Sequence, residues 1–242
     1  YFMWYTNEPA ANLGTLLDLW HTNQPKQPQG VSEYGAGAAI SHHSDNLTGS
    51  MGSVYTFDMS GKSRTMYQPE EYASYVHEQV YAEMAKREYI WGTYVWNMFD
   101  FGSGIRHEGD IGATNTKGLV TFDRKTKKDP FYFYKAQWSK DPVAYIAGRR
   151  YIDRNYPTAG VKVYSNTDSV TLKLNGTAVK TMTAAQCPNI PFVSDQFTGN
   201  FATDSTGCAQ YQYLICAFHR LALIGYLLDI LRAARAKCNC II

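Results

Sequence analysis

The stretch Val31-Ser32-Glu33-Tyr34-Gly35-Ala36-Gly37-Ala38 sets a carboxylate in front of small residues that leave room beside it. An ionised carboxylate so placed can attack an electrophilic carbon or take up a proton. In parallel α/β architectures the carboxyl ends of strands carry the chemistry, because the loops there converge on one cleft. Gln29-Gly30-Val31-Ser32 is short enough to be one strand of such a sheet. Glu33 is therefore the candidate catalytic carboxylate, and a helix N-cap or a loop ion pair fits the spacing equally well. His42 and His43 lie in a polar loop over 41–68, where an adjacent pair meets substrate or stays solvated. All five cysteines fall after residue 186, so the Glu33 region has neither a disulfide framework nor thiol chemistry. Cys238-Asn239-Cys240 stands too much alone to argue for a metal site.

The elements that position Glu33 follow from hydrophobic spacing. Leu13, Leu16, Leu17 and Trp20 recur as on one helical face, with Pro9 at the first helical position and Pro25 and Pro28 beyond the end. A second helix enters at Pro69-Glu70-Glu71 and carries Tyr72, Val76, Val80 and Met84 along one side. Tyr1 to Tyr5 and Tyr89 to Trp96 read as aromatic strands, Leu119 to Phe122 as strand-like, and Phe131 to Trp138 as a closing helix. Residues 102–118 read as another long polar loop. Helix, strand, helix, strand is a βαβ rhythm, which predicts a parallel sheet or barrel.

Composition changes near Arg149-Arg150. Tyr151-Ile152, Val161 to Tyr164 and Val170 to Leu174 alternate at period two, with turns at Asn166-Thr167-Asp168 and Asn175-Gly176. They predict the start of a small antiparallel β-sandwich and a domain boundary near 140–150. Leu214 to Ala236 reads as a helix with Leu221, Ile224, Leu228 and Leu231 on one side. His219, Arg220, Asp229 and Arg232 interrupt it, which argues against a membrane span. A helix appended to a half-built sandwich is inconsistent with its surroundings, and a reading-frame change after about residue 187 would explain it.

The bulk numbers narrow the function classes. A chain of 27.3 kDa can bury a full core. Nineteen Tyr and five Trp suit a ring-stacking site as well as an aromatic core. A formal charge of +2 supplies no field that would select nucleic acid. Tyr1 falls inside a strand pattern, without an initiator Met or signal peptide, so the chain reads as a piece of something longer. Its compartment is therefore not legible, with periplasm and extracellular space both open.

Over roughly residues 1–187 these stretches together resemble the family 2 glycoside hydrolases, the β-galactosidase and β-glucuronidase group. The resemblance is carried by Tyr1-Phe2-Met3-Trp4-Tyr5, Ser32-Glu33-Tyr34-Gly35-Ala36-Gly37-Ala38 and Val95-Trp96-Asn97-Met98-Phe99-Asp100-Phe101. It is carried further by Asn115 through Lys125 and by Val163-Tyr164-Ser165-Asn166. It implies the C-terminal part of a (β/α)8 TIM barrel over 1–145, the start of an immunoglobulin-like β-sandwich over 146–187, and an unassigned tail over 188–242. It also implies a carbohydrate substrate, hydrolysis of terminal β-galactosides with retention, and Glu33 as nucleophile. β-Glucuronides, or sugar binding without turnover, are the alternatives.

By the same resemblance Trp96 lines the sugar site with Asn97 beside it, Tyr1 lies near the nucleophile, and Tyr5 lies further along the cleft. Asn115 and Lys117 fall on a rim motif that binds the sugar carboxylate in glucuronidases and has a counterpart in bacterial β-galactosidases. The acid/base Glu belongs to an earlier strand, upstream of this chain. Asn7-Glu8 mimics its dipeptide on the wrong strand, and Glu8 is read as a first-turn carboxylate. The isolated chain is thus expected to be inactive. No cofactor is expected: some members hold Mg²⁺ or Na⁺, but no ligand set here has a spacing that demands one. The resemblance leaves the oligomeric state open.

Overall fold

The computed structural model describes residues 9–45, 67–106, 109–154, 158–183, 194–196 and 210–217. Tyr1, Tyr5, Glu8, His107, Glu108 and most of the 41–68 loop lie outside them. The chain divides into two compact units, residues 1–131 and 132–242, so the expected boundary at 145/146 falls inside the second.

Helix α1 (Pro9–Asn23) opens the described part of the first unit. Leu13 and Leu17, one turn apart, are buried, but Trp20 is 52% exposed, so the apolar stripe is narrower than its periodicity suggested. The helix lies close to α2 (Glu70–Ala85) at Gly14, where a Cβ would meet Glu83 Oε2 at 2.7 Å and Arg87 Nη2 at 2.8 Å. Arg87 then joins the two helices. Its Nε and Nη2 donate to the two Asp18 oxygens at 2.8 and 2.7 Å, and its Nη1 donates to Glu83 Oε2 at 2.9 Å. Tyr89 Oη also donates to Asp18, at 2.6 Å, and the Tyr89 ring stacks on His21. These bonds hold the Asp18 carboxyl well below the usual carboxylate range.

Pro69 caps α2, and the expected face of Tyr72, Val76, Val80 and Met84 is buried throughout. Burial extends to Glu70, Ser74, His77 and Glu78, so α2 is covered on more than one side. Strand β1 (Gln29–Tyr34) pairs in parallel with β2 (Ile90–Val95), the arrangement the βαβ rhythm predicts. Beyond β2 the chain pairs β3 (Phe101–Gly102) with β4 (Thr114–Asn115) in antiparallel fashion, inside what read as loop. Leu119 to Phe122 is not a strand: Val120 alone makes bridges, to Phe99 and Lys127.

In the second unit, β5 (Ala144–Ile146), β6 (Thr158–Ser165), β10 (Gln210–Ala217) and β9 (Ser194–Gln196) form one sheet in that order. β7 (Ser169–Leu174) and β8 (Thr177–Thr183) form a separate hairpin. Asn175 and Gly176 close it with φ of 51° and 81°, the pair of positive values that a two-residue type I′ turn requires. Val163 from the sheet packs against Val170 and Met182 from the hairpin. Asn166 ties the strand end to the preceding loop: its Nδ2 donates to Ser139 O and Asp141 O, and its Oδ1 accepts from Val143 N–H at 2.7 Å.

Two expectations fail here. Tyr151-Ile152 is not in a strand, and residues 214–217 belong to β10 rather than to a helix. β10 pairs in parallel with β6, and its backbone polar groups are taken up by that ladder. The rest of the expected tail helix lies outside the described residues. The described elements as a whole make a mixed α/β arrangement, and among them no helix is long and apolar enough to cross a membrane.

Candidate active site

Three backbone segments meet beyond the ends of β1 and β2: residues 33–38, 96–100 and 115–118. Trp96 N–H donates to Tyr34 O at 2.8 Å, which extends the parallel pair by one rung. Asn97 N–H donates to Lys117 O at 3.0 Å, and Leu119 N–H returns a bond to Asn97 O at 2.9 Å. Ala38 N–H donates to Thr116 O at 3.0 Å, so the Glu33 segment is bonded to both of the others.

The direction of Glu33 follows from its neighbour Tyr34. Val31 pairs with Thr93 and Tyr34 with Val95, so β1 spends three steps where β2 spends two. The extra residue is a bulge at Ser32-Glu33, which turns Val31 and Tyr34 to one face, and both are buried. Alternation then puts Glu33 on the other face, together with Tyr94 and Trp96, which flank Val95. That face is open: Tyr94 is 54% exposed and Trp96 38%, and Glu33 is half-buried. The Glu33 carboxylate makes no hydrogen bond or ion pair among the described residues, so neither a cap nor an ion pair engages it.

The Trp96 indole stands edge-on to Phe101 at 6.0 Å, and the Trp96–Asn97 peptide is cis. Asn97 Nδ2 donates to Phe99 O at 2.9 Å, while its Oδ1 is buried without a partner. Asn115 is buried and its Oδ1 accepts from Lys117 N–H at 3.0 Å, which fixes the turn between them. The Lys117 side chain is 5% exposed. The described candidates from the sequence thus lie on three hydrogen-bonded segments. Tyr1 and Tyr5 are outside the described residues.

Sequence reasoning missed the groups beneath these segments. Gly35 has φ of +147°, and a Cβ there would lie 2.6 Å from Trp96 O and 3.0 Å from His77 Cε1. His77 is fully buried in α2 and accepts Ala36 N–H on Nε2 at 3.4 Å. Burial holds its pKa down to about 3, so the imidazole is neutral at ordinary pH. Gln68 takes a hydrogen bond from Thr116 Oγ1, and its backbone carbonyl accepts Ala39 N–H at 2.9 Å. Lys128 and Asp100 form a buried ion pair at 2.8 Å. Lys128 closely follows Lys125 and Lys127 in sequence, and nothing local marks it.

The two histidines of the 41–68 loop are held, not solvated. His43 Nδ1 lies 2.8 Å from Glu71 Oε1, and His42 Nδ1 accepts Gln68 N–H at 3.1 Å. Among the described residues, no group of three or more His, Cys, Asp or Glu could hold a metal ion.

No family model matches the chain. It is 41% identical over 174 residues to a β-glucuronidase of Bacteroides fragilis, a match that covers 72% of this chain and 23% of that protein. It is 42% identical over 89 residues to a putative β-glucuronidase of Formosa agariphila, covering 35% of this chain and 11% of the relative. The chain therefore spans less than a quarter of the length of these curated relatives. Among solved structures, an FMN-binding β-glucuronidase of Faecalibacterium prausnitzii L2-6 aligns with TM-score 0.57 and 34% identity, over 85% of this chain and 29% of that one. A putative β-galactosidase of Bacteroides fragilis aligns with TM-score 0.58 and 35% identity, over 70% and 24%. In sequence and in backbone, the chain belongs to the β-glucuronidase and β-galactosidase group of the family 2 glycoside hydrolases.

Proposed function

We propose that residues 1–187 are the C-terminal part of a retaining glycoside hydrolase acting on terminal β-glucuronides, with Glu33 as its nucleophile. The observation that carries this reading is Glu33 itself: half-buried, without a hydrogen bond or ion pair among the described residues, and facing away from the buried Tyr34, on the side of Trp96 at the strand ends. A Glu33 oxygen attacks the anomeric carbon as the bond to the leaving oxygen breaks, and a second carboxylic acid protonates that oxygen. Water then attacks the glycosyl ester and gives its proton to the second carboxylate, which releases Glu33. The second carboxyl lies on an earlier barrel strand upstream of Tyr1, about 5–5.5 Å from Glu33 in the complete enzyme. The Trp96 face offers an apolar platform for the CH groups of a sugar ring. By the resemblance, Tyr1 belongs near the nucleophile and Tyr5 further along the same cleft.

Sequence alone put galactosides first. The relatives named β-glucuronidase turn the preference to glucuronides, and Asn115 with Lys117 supplies the amide and ammonium that a uronic carboxylate would need. The putative β-galactosidase among the neighbours keeps galactosides as the second reading. The same proposal makes 1–145 the end of a TIM barrel and 146–187 the start of an immunoglobulin-like sandwich, and leaves 188–242 an unassigned tail whose described strands β9 and β10 join the sheet of β5 and β6. Exposed Tyr94 and Trp96 opposite the helix-packed face support the barrel, since parallel sheets are normally covered on both faces.

The test uses the full-length enzyme that carries residues 1–187, assayed on nitrophenyl β-glucuronide and β-galactoside. It also uses a cyclophellitol-6-carboxylate aziridine, the reagent bound covalently in a Bacteroides uniformis β-glucuronidase. Labelling at Glu33, lost in Glu33→Gln, is expected, and labelling at another residue overturns the assignment. Purified residues 1–242 should not turn over either substrate. Turnover by that chain would show that the acid/base is not upstream.

A further inference from the structure

We infer that Lys128 is a positioning residue whose ammonium holds the three candidate-site segments in register. An ammonium has three protons to give. Those of Lys128 go to Ala38 O at 2.6 Å, Asp100 Oδ1 at 2.8 Å and Thr116 O at 2.9 Å. Each acceptor sits on a different segment: Ala38 follows Glu33, Asp100 follows Trp96 and Asn97, and Thr116 lies between Asn115 and Lys117. The side chain is 1% exposed, so no water competes for these bonds.

Neighbouring bonds make the arrangement directional. Asp100 Oδ1 also accepts Gly118 N–H at 2.8 Å, and Lys128 N–H donates to Leu119 O at 2.9 Å. The next residue, Asp129, gives its N–H to the buried Glu70 Oε1 at 2.6 Å, which ties the Lys128 backbone to α2. Lys128 is therefore fixed from behind while its ammonium grips the segments in front. A packed apolar side chain would be the less costly occupant, because taking a charge out of water is expensive. What the ammonium adds is three bonds of set direction, charge-assisted and out of solvent. The planar guanidinium of arginine cannot present three protons to three converging oxygens in the same way.

The kinetic half of the test rests on the proposed nucleophile, and the exchange half does not. In the full-length enzyme, Lys128→Met, Lys128→Met with Asp100→Asn, and Lys128→Arg are compared by thermal midpoint, amide hydrogen exchange and aziridine labelling. The double variant removes both charges of the Lys128–Asp100 pair and should regain part of the thermal midpoint lost by the single one, since buried Glu70 still loses the nearby ammonium. It should still exchange amides of 33–38, 96–100 and 115–118 about tenfold faster, all three together, and label Glu33 on the order of 10²-fold more slowly. Wild-type exchange in any two segments, or wild-type labelling by a folded double variant, overturns the inference. If neither Met variant folds, Lys128→Arg decides by the same exchange pattern. A wild-type enzyme that is never labelled at Glu33 defeats the nucleophile assignment instead, and exchange alone then decides the role of Lys128.

Discussion

Gly35→Ala tests whether the backbone behind Glu33 sets the geometry of the site. The new Cβ would lie 2.6 Å from Trp96 O and 3.0 Å from the His77 ring. A carbon bearing hydrogen normally sits about 3.3 Å or more from a carbonyl oxygen, so the two chains must part by roughly 0.7 Å. The Trp96 carbonyl cannot yield alone, because Trp96 N–H is bonded to Tyr34 O and Asn97 is bonded to Lys117 and Leu119. Holding alanine at φ of +147° adds about 1–3 kcal/mol of backbone strain. The expected destabilisation is about 2–4 kcal/mol in all. A misplacement of about 1 Å can cost on the order of 10²-fold in rate, so kcat/KM of the full-length enzyme on the nitrophenyl glycoside should fall about 30-fold to 100-fold. Gly102→Ala is the control, since a Cβ there meets nothing within 4 Å. Gly37→Ala should fall between them, because its clash at 2.7 Å is with the Gln68 side-chain amide rather than with backbone. Wild-type kcat/KM and thermal midpoint in Gly35→Ala would refute this account of the site.

Other outcomes follow from the same contacts. His77 is held neutral with a pKa of about 3, against about 6.5 for an unfolded histidine. Between those values the unfolded chain binds a proton that the folded one does not, so stability is full above pH 6.5 and falls as pH drops through the window. The slope due to His77 is about 1.4 kcal/mol per pH unit, and urea midpoints from pH 7 to pH 4 should be flatter in His77→Asn. Arg87→Met removes the Asp18 and Glu83 bonds between α1 and the end of α2. It should lower the thermal midpoint less in roughly 1 M salt than in dilute buffer, with kcat unchanged. Gly176→Ala, at φ of 81°, should cost about 1 kcal/mol and speed amide exchange in β7 and β8 before other regions. Exchange that rises evenly across the chain would count against that turn as the local determinant.

What the sequence made legible was local. The α2 stripe, the Asn175-Gly176 turn and the parallel pairing of β1 with β2 depend on spacings of a few residues, and periodicity reports those well. Trp20 shows the limit even there, because a helical face says where a residue points and not whether anything lies opposite. Residues 214–217 show another: an apolar run fits strand or helix alike, and pairing with β6 decides it. The groups beneath the candidate site were illegible because their partners are remote. Lys128 reaches Ala38 across 90 positions, and His77 reaches Ala36 across 41. Glu33 itself was found by the small residues after it, and its direction was not.

That direction survives a change in strand length. Tyr34 opposite Val95 and Val31 opposite Thr93 pin the register on both sides, so loss of Ser32 would leave Glu33 across from Tyr94, still on the open face. The bulge is thus a spare residue that the strand absorbs without turning its carboxylate. Chains of this family one residue shorter between Val31 and Tyr34 would keep the same facing.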